Sequence, residues 1–336
     1  MPKNFSFLKD KTVLITGGTG SFGKNFAKHL LAETEIKKLI IFSRDEWKHF
    51  QMKEELKGET RVRFFLGDVR DVERLRRAFN GVDIVVHAAA LKQVPMLEYN
   101  PFEAVKTNIL GTQNVIEASI DAEVEKVLLV STDKAAQPIN LYGSTKLCAE
   151  KLTVAGNAYS MHTKFACVRY GNVIGSRGSI VETLLKNPKA AEVHITHEEM
   201  TRFWIDLPGS FKLVLFALEH MEGGEIIVPK IPSMRLADLF TALVPKAKRK
   251  TVGIRPGEKL HEMLLTKEES RRAVSLAGYF AILPEDGETF DVKKRFAKII
   301  KMGKPVPADF HYTSNENSEW LTEKEFKALV KNFSVA

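Results

Sequence analysis

The sequence feature that most constrains the fold is a β-branched run that leads directly into a glycine-rich turn and a helix-forming stretch. The run is Thr12–Thr16, the turn is Thr16–Gly23 with the spacing G-x-x-G-x-x-G, and Lys24–Ala32 continues with apolar residues at helical spacing. Strand, glycine turn and helix in this order are typical of a unit that binds a dinucleotide. The pattern predicts an α/β fold built on a doubly wound parallel sheet of the Rossmann type.

Each glycine of this turn has its own role in that prediction. Gly17 permits the tight turn, Gly20 lets backbone amides approach a pyrophosphate, and Gly23 allows the helix to pack closely on the strand. The helix N-terminus then presents its positive end to the phosphates. A glycine-rich turn without a ligand is the alternative. The predicted cofactor contacts of the turn are Thr16, Gly17, Thr19, Gly20, Ser21, Phe22 and Gly23.

The second predicted strand, Lys38–Phe42, is followed by residues that bear on the identity of the dinucleotide. Ser43 and Arg44 come first, and Lys48 lies one helical turn further on. A cation at this point meets the 2′-phosphate of NADP, whereas a carboxylate accepts hydrogen bonds from the ribose of NAD. The three residues favour NADP, and Asp45 leaves NAD open. Arg44 has an alternative role as an exposed charge at a helix start.

The third predicted strand, Arg63–Phe65, precedes a carboxylate with two interpretations. Asp68 and Val69 are placed to flank the adenine, with Asp68 accepting a hydrogen bond from its exocyclic amine. Aspartate is also a common N-cap residue, in this case for the predicted helix Val72–Phe79. The residues alone leave both interpretations open.

The fourth predicted strand, Val82–His87, leads into three alanines. Small side chains at the carboxyl edge of a sheet, here Ala88 and Ala89, leave room for a cofactor to lie against the backbone. We interpret His87 as a packed residue rather than a catalyst. Lys92 follows in a loop, where it faces the cofactor or a substrate phosphate, or is simply exposed.

The most specific chemistry lies between residues 131 and 146. The apolar run Val127–Val130 predicts a buried parallel strand, and the polar triplet Thr132–Lys134 follows at the edge where doubly wound sheets bind ligands. Tyr142 and Lys146 come next, at positions i and i+4 that share one helix face. The Lys146 ammonium would favour a tyrosinate at Tyr142, which removes a proton from a substrate hydroxyl as hydride leaves the same carbon.

Asp133 and Lys134 add the chemistry of dehydration. Once a sugar hydroxyl is oxidised to a ketone, a base can take the neighbouring C–H proton while an acid expels a hydroxyl one carbon further on. Lys134 suits the base if its pKa is lowered, and Asp133 the acid if its pKa is raised; a tight ion pair between them would oppose both shifts. Adjacent strand residues point to opposite faces, so the backbone must turn after Thr132. The alternative is that Asp133 caps a helix and Lys134 is a surface charge.

Composition and charge limit the classes of protein. The 336 residues are 44% hydrophobic and 27% charged, as in globular proteins. Cys148 and Cys167 have no metal-type spacing and offer no disulfide framework, so we expect no metal site and a reducing, cytoplasmic setting. Met1–Lys11 lacks a signal-peptide core, and no run reaches the ~18 apolar residues of a membrane span. The net charge of +8 includes one dense basic cluster, Lys246–Lys250. We interpret it as a solvated turn and expect a small anionic substrate, not nucleic acid.

The order of the predicted elements suggests two parts. Phe165–Tyr170 predicts a sixth strand, and the glycine-rich stretch Gly171–Ile180 predicts a crossing to the second part of the chain. We expect residues 1–175 to form the nucleotide-binding domain, with a later strand near 225–228 added to its sheet. Residues 176–336 are expected to form mainly a smaller substrate-binding region. The polar stretch 309–320 is expected to pack as a loop.

Taken together, the glycine turn, the Thr-Asp-Lys triplet and the Tyr-x-x-x-Lys pair resemble the extended short-chain dehydrogenase/reductase superfamily. Within it, the chain resembles the nucleotide-sugar 4,6-dehydratases, and most of all the soluble, inverting UDP-N-acetylglucosamine 4,6-dehydratases of the pseudaminic acid pathway. The resemblance covers nearly the whole chain. Its further matching segments are Gly67–Asp71, Leu91–Pro95, Arg169–Gly178, Met200–Trp204, Val228–Met234 and Gly253–His261.

This resemblance implies UDP-N-acetylglucosamine as substrate and NADP+ as a tightly held, recycled cofactor. Hydride leaves C4, water is lost across C5 and C6, and hydride returns to C6. Protonation at C5 from the opposite face inverts that centre and gives a 4-keto-6-deoxy-L-arabino sugar nucleotide. By matching positions, Tyr142 with Lys146 assists oxidation at C4, Asp133 protonates the leaving C6 oxygen, Lys134 handles the C5 proton and Thr132 hydrogen-bonds the sugar.

The resemblance also implies binding residues and partners. The matching loop residues Asn172 and Arg177 would lie on the diphosphate side, and Arg255 with Glu258 on the uridine side. The full set of implied substrate contacts is Lys92, Thr132, Tyr142, Asn172, Arg177, Lys230, Arg255 and Glu258. A homo-oligomer, either a dimer or a hexamer, and a downstream aminotransferase are the implied partners. Gln137 and Ser144 depart from the usual Asn and Ala, but neither is a reacting group.

Other functions on the same fold stay open. Dehydratases of glucose nucleotides carry Thr-Asp-Glu in place of Thr-Asp-Lys, and long membrane-bound relatives carry Met at the position of Tyr142. A UDP-sugar 4-epimerase would leave Asp133 and Lys134 idle. A non-catalytic NADP-sensing protein would not need Tyr142 and Lys146. A retaining UDP-N-acetylglucosamine 4,6-dehydratase is the remaining alternative.

Overall fold

The computed structural model describes residues 5–287 and 290–331, and strands alternate with helices through the first half of the chain. The strands are β1 (Thr12–Thr16), β2 (Lys38–Ser43), β3 (Val62–Leu66), β4 (Ile84–His87), β5 (Lys126–Thr132), β6 (Lys164–Tyr170), β7 (Asn172–Val173), β8 (Glu192–Ile195), β9 (Thr201–Ile205), β10 (Ile226–Pro229), β11 (Ser233–Arg235), β12 (Lys248–Thr251), β13 (Met263–Leu265), β14 (Ala273–Leu276), β15 (Tyr279–Ile282), β16 (Lys304–Pro305) and β17 (Tyr312–Thr313). The helices are α1 (Ser21–Glu33), α2 (Glu46–Glu55), α3 (Val72–Phe79), α4 (Val94–Tyr99), α5 (Pro101–Ala104), α6 (Gly111–Asp121), α7 (Leu141–Ala155), α8 (Ile180–Lys186), α9 (Leu207–His220), α10 (Leu236–Leu243), α11 (Lys267–Ser270), α12 (Val292–Arg295), α13 (Ala297–Met302) and α14 (Glu323–Lys331).

Ten of these strands form one sheet, in the order β16-β14-β15-β10-β6-β5-β4-β1-β2-β3. The neighbours from β3 to β10 pair in parallel, and β15, β14 and β16 pair antiparallel at the other edge. The strand order reverses between β1 and β4, which is where such sheets bind their ligands. The predicted doubly wound α/β fold is confirmed. Each predicted strand of the sheet begins and ends within two residues of the observed one.

The sheet is buried on both faces, and this explains its apolar sequence. Val13 and Ile15 of β1 belong to the cluster that packs α1 and α9, whereas Leu14 belongs to the cluster that packs α3 and α6. All five residues of β1 are buried. Parallel strands covered by helices on both faces need near-continuous apolar runs rather than alternation. The short apolar runs of the sequence therefore located these strands well.

The second half of the chain contributes to the main sheet and also builds smaller units. Three small sheets have the orders β11-β9-β7, β12-β8 and β13-β17. A separate core joins Trp204, Met234, Phe240 and Phe326. The strand expected near 225–228 is β10, which pairs in parallel with β6. Strands β14, β15 and β16 extend the main sheet further, so more of residues 176–336 joins it than the sequence suggested.

A π-helical stretch, Val105–Leu110, lies between α5 and α6. Such stretches are rare in proteins, and those that occur are often found at functional sites. Here the stretch carries the buried Asn108, whose side-chain amide donates to the Leu91 carbonyl (2.9 Å) and to Thr145 Oγ1 (3.0 Å). The Leu91 N–H donates in turn to Asn108 Oδ1 (2.8 Å). Asn108 thus ties the loop after β4 to α7.

The stretch 309–320, expected to pack as a loop, includes β17, which pairs antiparallel with β13. The Tyr312 hydroxyl donates to the Ile231 carbonyl (2.8 Å) and accepts from the Ile231 N–H (2.9 Å). The amide of Asn317 donates to the same carbonyl and to Ser233 Oγ. The strand pairing and hydrogen bonds of this stretch were not predicted from the sequence, because the partner residues lie far away along the chain.

Candidate active site

The glycine turn after β1 lies against the end of β4. Gly17 has a φ of +66°, which favours glycine, and a methyl group there would lie 2.9 Å from Ala89 Cα. A methyl group at Gly23 would lie 2.5 Å from Gly18 Cα, so α1 packs directly on the turn. The expected roles of these two glycines thus have a geometric basis in close backbone approach.

The N-terminus of α1 is built to receive an anion. Its N-cap residue is Gly20, which has no side chain to occupy the first backbone N–H groups. Those groups and the helix dipole favour a phosphate at this point. The loop after β7 crosses the same helix end, because the Arg177 N–H donates to Ser21 Oγ (3.0 Å). The open turn, the uncapped helix and the small residues Ala88 and Ala89 fit a dinucleotide.

A chain of neutral hydrogen bonds holds the end of β4 against this turn. His87 is buried, its Nδ1 lies 2.6 Å from Thr16 Oγ1, and its Nε2 lies 3.1 Å from Thr112 Oγ1. The Thr112 hydroxyl donates to the Asn108 carbonyl, so Thr112 accepts from His87 Nε2–H and His87 Nδ1 accepts from Thr16. Burial lowers the pKa of His87 to about 3, and Lys146 adds to the effect. His87 is therefore a neutral packed residue, as interpreted from the sequence.

The residues that follow β2, which we call the ribose edge, differ in how far their side chains are engaged by other protein groups. Thr19 Oγ1 lies 2.7 Å from Ser43 Oγ. The Asp45 carboxylate caps α2 by accepting the Lys48 N–H (3.0 Å), and it also pairs with the Lys48 ammonium. The Arg44 side chain is 52% exposed, and its guanidinium lies 3.7 Å from the Asp68 carboxylate. Asp45 and Lys48 are thus engaged with each other, and Arg44 is the cation of this set with the freer side chain.

The two interpretations of Asp68 are separated by the structure. Asp71, not Asp68, caps α3, since its side chain accepts the Arg74 N–H. Asp68 accepts two hydrogen bonds from the guanidinium of Arg70, at 2.9 and 3.1 Å. Burial would raise the pKa of Asp68, but Arg70 lowers it below its usual value. The capping interpretation of Asp68 is wrong, because α3 begins three residues later than such a cap requires. Val69 packs beside Gly111 at the start of α6.

The backbone turns directly after Thr132, as the dehydration chemistry requires. β5 ends at Thr132, and Asp133–Ala135 forms a single turn of 3-10 helix. The Thr132 hydroxyl donates to Asp133 Oδ1 (2.9 Å) and accepts from the Lys134 N–H (3.4 Å). A methyl group at Gly143 would lie 2.2 Å from the Lys134 carbonyl oxygen, so glycine lets α7 approach this turn. The Asp133 and Lys134 side chains are therefore brought to one site with Tyr142.

A third charged residue completes this group. The Lys134 ammonium lies 3.1 Å from Asp133 Oδ1, 3.3 Å from Glu262 Oε1 and 3.4 Å from Asn172 Oδ1. Asp133 is fully buried and Glu262 is 2% exposed. Arg202 lies 3.8 Å and Lys259 3.9 Å from the Glu262 carboxylate. We call Asp133, Lys134 and Glu262, with Arg202 and Lys259 beside them, the charged cluster.

Within the charged cluster the two carboxyl groups differ. Burial raises the pKa of Asp133, and Glu262 raises it further against the opposing charge of Lys134. Burial would also raise the pKa of Glu262, but Lys134, Arg202 and Lys259 lower it below its usual value. Asp133 thus meets the requirement of the proposed acid. Burial would lower the pKa of Lys134, but Asp133 and Glu262 raise it, which is opposite to the shift that the role of base requires.

Tyr142 and Lys146 lie one turn apart on α7, as the spacing predicts. Burial raises the pKa of Tyr142 to about 12, and Lys134 is the cation that opposes this rise. The Lys146 ammonium instead donates to the Val130 carbonyl (2.9 Å), and burial lowers the pKa of Lys146 to about 8. Among the described residues, Lys134 and not Lys146 is the cation that lowers the pKa of Tyr142, so support of a tyrosinate by Lys146 stays a prediction.

The implied substrate residues are distributed around the charged cluster. Asn172 contacts Lys134, as described above. Lys92 is the lysine of the loop after β4, and desolvation lowers its pKa together with the charges of Lys134 and Arg177. Asn140 caps α7 and donates to the Gly257 carbonyl (2.7 Å). This bond docks the turn that carries Arg255 and Glu258 beside α7, and Glu258 lies 3.7 Å from Arg202.

Lys230 is the implied substrate residue that the structure holds elsewhere. Its ammonium donates to Ser275 Oγ (2.9 Å) and to the Leu276 carbonyl (2.8 Å). It also lies 4.7 Å from the ring centre of Phe280. These contacts fasten Lys230 to the β14–β15 hairpin. Contact with a substrate would require it to leave part of this arrangement.

Three members of the charged cluster, Arg202, Lys259 and Glu262, were not predicted as site residues. Arg202 lies inside β9, where all five residues are buried, and Glu262 directly precedes the apolar β13. A charge inside a buried apolar run is unusual without a partner, and that was the available signal. This signal indicated that each charged residue is buried beside an opposite charge, but it did not identify the partner.

A second buried ion network lies behind α7. Arg169 is fully buried and pairs with Glu150 (2.6 Å) and Glu269 (3.0 Å). Ser131 donates to Glu150, which lies four residues after Lys146 on the same helix. The carboxylate of Glu150 opposes the lowering of the Lys146 pKa by burial.

None of the helices among residues 5–287 and 290–331 combines the length and apolar character needed to cross a bilayer.

Comparisons with known proteins agree with this geometry. Residues 13–284 match the family model described as "Polysaccharide biosynthesis protein". The chain is 47% identical over 328 residues to the UDP-N-acetylglucosamine 4,6-dehydratase (inverting) of Campylobacter jejuni, covering 96% of this chain and 98% of that protein. It is 41% identical to the UDP-glucose 4-epimerase of Rickettsia canadensis, covering 96% and 95%. The X-ray structure of Pen from Bacillus thuringiensis superposes with a TM-score of 0.86 at 37% identity, covering 98% of this chain and 100% of that one.

Proposed function

The chain is an enzyme of the polysaccharide biosynthesis protein family, within the extended short-chain dehydrogenases/reductases, and we propose that it dehydrates UDP-N-acetylglucosamine to a 4-keto-6-deoxy sugar nucleotide. The observation that carries the proposal is the ion pair between the buried Asp133 and the partly buried Lys134, beside Tyr142 at the end of β5. Oxidation and reduction alone would need Tyr142 and Lys146. Elimination of water needs an acid and a base in addition, and this pair supplies them.

We propose NADP as the cofactor, held by the glycine turn, the N-terminus of α1 and the ribose edge. When bound, NADP+ supplies the hydride acceptor for C4 and returns the hydride to C6. Arg44 and Ser43 support NADP over NAD, because the Asp45 carboxylate is already engaged by α2 and Lys48. Asp68 and Val69 would flank the adenine, and Lys92 would lie where cofactor and substrate phosphates meet. Tyr142 takes the proton of the C4 hydroxyl, with the adjacent Lys146 as its supporting cation.

The elimination step follows from the pairing of Asp133 with Lys134. Transfer of one proton from the Lys134 ammonium to the Asp133 carboxylate, across 3.1 Å, yields a neutral amine and a neutral acid without changing the total charge. Lys134 Nζ then takes the C5 proton, and Asp133 gives its proton to the C6 oxygen, which leaves as water. The pair is thereby returned to its starting form. Reduction at C6 is completed by a proton from solvent, which is added to the opposite face of C5 and gives the inverted product.

The remaining assignments are part of the same proposal. Thr132 would hydrogen-bond the sugar, Asn172 and Arg177 would bind the diphosphate, and Arg255 with Glu258 would bind the uridine. The relative from Campylobacter jejuni is named an inverting enzyme, which supports inversion at C5. We further propose that the reaction is the first step in the synthesis of pseudaminic acid-type sugars. We also propose a cytoplasmic homo-oligomer whose ketone product is passed to an aminotransferase.

The deciding experiment is incubation of the protein with UDP-N-acetylglucosamine and NADP+ in deuterated water. We expect a product lighter by the mass of one water, with deuterium at C5, and its NMR spectrum should show the L-arabino configuration. Retention at C5 would replace inversion by the retaining reaction.

A UDP-sugar 4-epimerase is the second candidate, since relatives at 41% identity carry that name. An epimerase would give UDP-N-acetylgalactosamine of unchanged mass, and recovery of that product alone would refute dehydration. The Asp133–Lys134 ion pair argues against it, because epimerisation at C4 gives neither group a task. Turnover of either kind would exclude a non-catalytic NADP sensor.

A further inference from the structure

Glu262 is a buried carboxylate that neither the motifs nor the implied roles account for. It reaches the charged cluster from the segment before β13, far in sequence from Asp133 and Lys134. Its Oε1 lies 3.3 Å from the Lys134 ammonium, and its backbone N–H donates to Ser314 Oγ (2.9 Å). A buried carboxylate is costly unless it is paired, so Glu262 is kept in place by the cations around it.

The two carboxyl groups of the cluster have unequal surroundings. Glu262 is approached by three cations, Lys134, Arg202 and Lys259. Asp133 has one ion-pair partner, Lys134. Asp133 Oδ2 and Glu262 Oε2 are both buried without a hydrogen bond among residues 5–287 and 290–331, so the number of cations is what distinguishes the two groups. The groups that face Lys134 are Asp133 and Glu262, with the cations Arg202, Lys92 and Lys259 and the phenol of Tyr142 nearby. Negative charge is therefore better stabilised on Glu262 than on Asp133.

We propose that Glu262 is a positioning residue for the dehydration step: its carboxylate holds the Lys134 ammonium in the site and stays ionised as the counter-charge of the cluster, so that the proton released by Lys134 goes to Asp133, which then donates it. The proposal rests on the proposed function for its catalytic consequence. The charge distribution itself belongs to the ligand-free protein. Glu262 acts through Lys134 and Asp133 and is assigned no contact with the sugar.

The test is Glu262→Gln, which keeps the size of the side chain and an acceptor for Lys134 but removes the charge. Loss of a nearby negative charge lowers the pKa of both Asp133 and Lys134. Both limbs of the pH profile of kcat for dehydration should therefore move to lower pH, by about one unit or more. A merely structural role would lower kcat without moving the limbs, and an unmoved profile would overturn the proposal.

Two further variants serve as controls. Glu225→Gln removes another fully buried carboxylate, one that accepts the Glu222 N–H away from the cluster, and should leave the pH profile in place. Glu262→Asp keeps the charge and should restore the position of the profile even if kcat stays low. If Glu262→Gln does not fold, Lys259→Met gives the opposite sign: removal of a cation beside Glu262 should move both limbs to higher pH, and no movement would count against the proposal.

A second readout does not depend on turnover. With ¹³Cε-labelled lysine, the Lys134 resonance is identified by its loss in Lys134→Arg and titrated by NMR in the ligand-free protein. We expect Lys134 to titrate at a pH about one unit or more lower in Glu262→Gln than in the parent, a tenfold rise in its acid dissociation constant. Absence of this fall overturns the proposal. If the parent fails to dehydrate UDP-N-acetylglucosamine but the fall is seen, the proposed function is refuted and the charge assignment of Glu262 stands.

Discussion

The two halves of the active-site edge are built from different materials. The nucleotide half, around Thr16–Gly23 and His87, consists of glycine backbone, an uncapped helix end and neutral hydrogen bonds. The dehydration half consists of charged side chains, buried or partly buried and paired with one another, around Lys134. The nucleotide half offers fixed backbone dipoles to a charged ligand, and the dehydration half holds the side chains that transfer protons. Binding and proton transfer thus make different demands on the same sheet edge.

The sharpest way to separate the halves is Lys134→Ala. Loss of a group that carries the C5 proton should lower the dehydration rate by about 10²–10⁴-fold. Affinity for NADP, measured by fluorescence titration, should not change, because no cofactor contact is removed. Lys106→Ala, which removes an exposed lysine paired with Glu103, is the matched control. Normal turnover in the Lys134 variant would contradict its assigned role.

A pH titration tests whether the nucleotide half is free of charge. His87 has a folded-state pKa of about 3, so the unfolded chain takes up its proton first as the pH falls below about 6.5. Stability from this group is full above that pH and is lost on the way down to about 3, by about 2 kcal/mol between pH 6.5 and 5. His87→Gln should lack this loss in denaturant melts at the two pH values.

The matched control for that titration is His162→Gln, at an exposed position. Its acid sensitivity should equal that of the parent. Equal sensitivity in His87→Gln as well would mean that the imidazole accepts a proton in the folded state, and the neutral hydrogen-bond chain would then be wrong.

Gly23→Ala tests the close approach on which the nucleotide half depends. The added methyl group would lie 2.5 Å from Gly18 Cα and 2.7 Å from the Gly17 carbonyl oxygen, both of them backbone atoms. We expect a loss of about 1–3 kcal/mol in the free energy of unfolding, and weaker cofactor binding from the displaced turn. Lys24→Ala, one residue further on and paired only at the surface with Glu55, should change stability by about 1 kcal/mol or less.

Arg44→Ala tests the choice between the two dinucleotides. Loss of one exposed cation opposite a 2′-phosphate should weaken NADP binding about tenfold, roughly 1.4 kcal/mol, and leave NAD binding unchanged. Calorimetric titration with both cofactors gives the comparison, with Lys53→Ala on the exposed side of α2 as control. Equal losses for NADP and NAD would place Arg44 away from the 2′ position.

The smallest expected effect lies at Gln137, in the loop between the turn after β5 and α7. Gln137 has a φ of +47°, in the left-handed region that asparagine tolerates better than glutamine. The family resemblance of the sequence implies Asn at this position. Gln137→Asn should raise the free energy of unfolding by about 0.5 kcal/mol without changing kcat, as measured by urea melts and initial rates. A loss of stability would show that the Gln137 side chain makes a compensating contact.

What could be predicted from the sequence follows the same division. The nucleotide half was predictable because its determinants are local: a β-branched strand, a glycine turn and a helix lie within Thr12–Glu33. Tyr142 and Lys146 were predictable for the same reason, since helical spacing alone places them one turn apart. The cap of α3 was assigned to Asp68 as one alternative, although the correctly predicted start at Val72 already places Asp71 directly before the helix.

Tertiary structure alone decided the charged cluster. The sequence placed Asp133 and Lys134 at a strand end, but the turn after Thr132 and the close approach of Gly143 bring them to one site. Glu262 arrives from a distant segment, and its charge raises the pKa of both Asp133 and Lys134 although it is remote from them in sequence. Backbone geometry depends on residues close in sequence, whereas the pKa of a buried group depends on every charge around it in space. That is why the fold and its glycine turn followed from the sequence, and the protonation of the site did not.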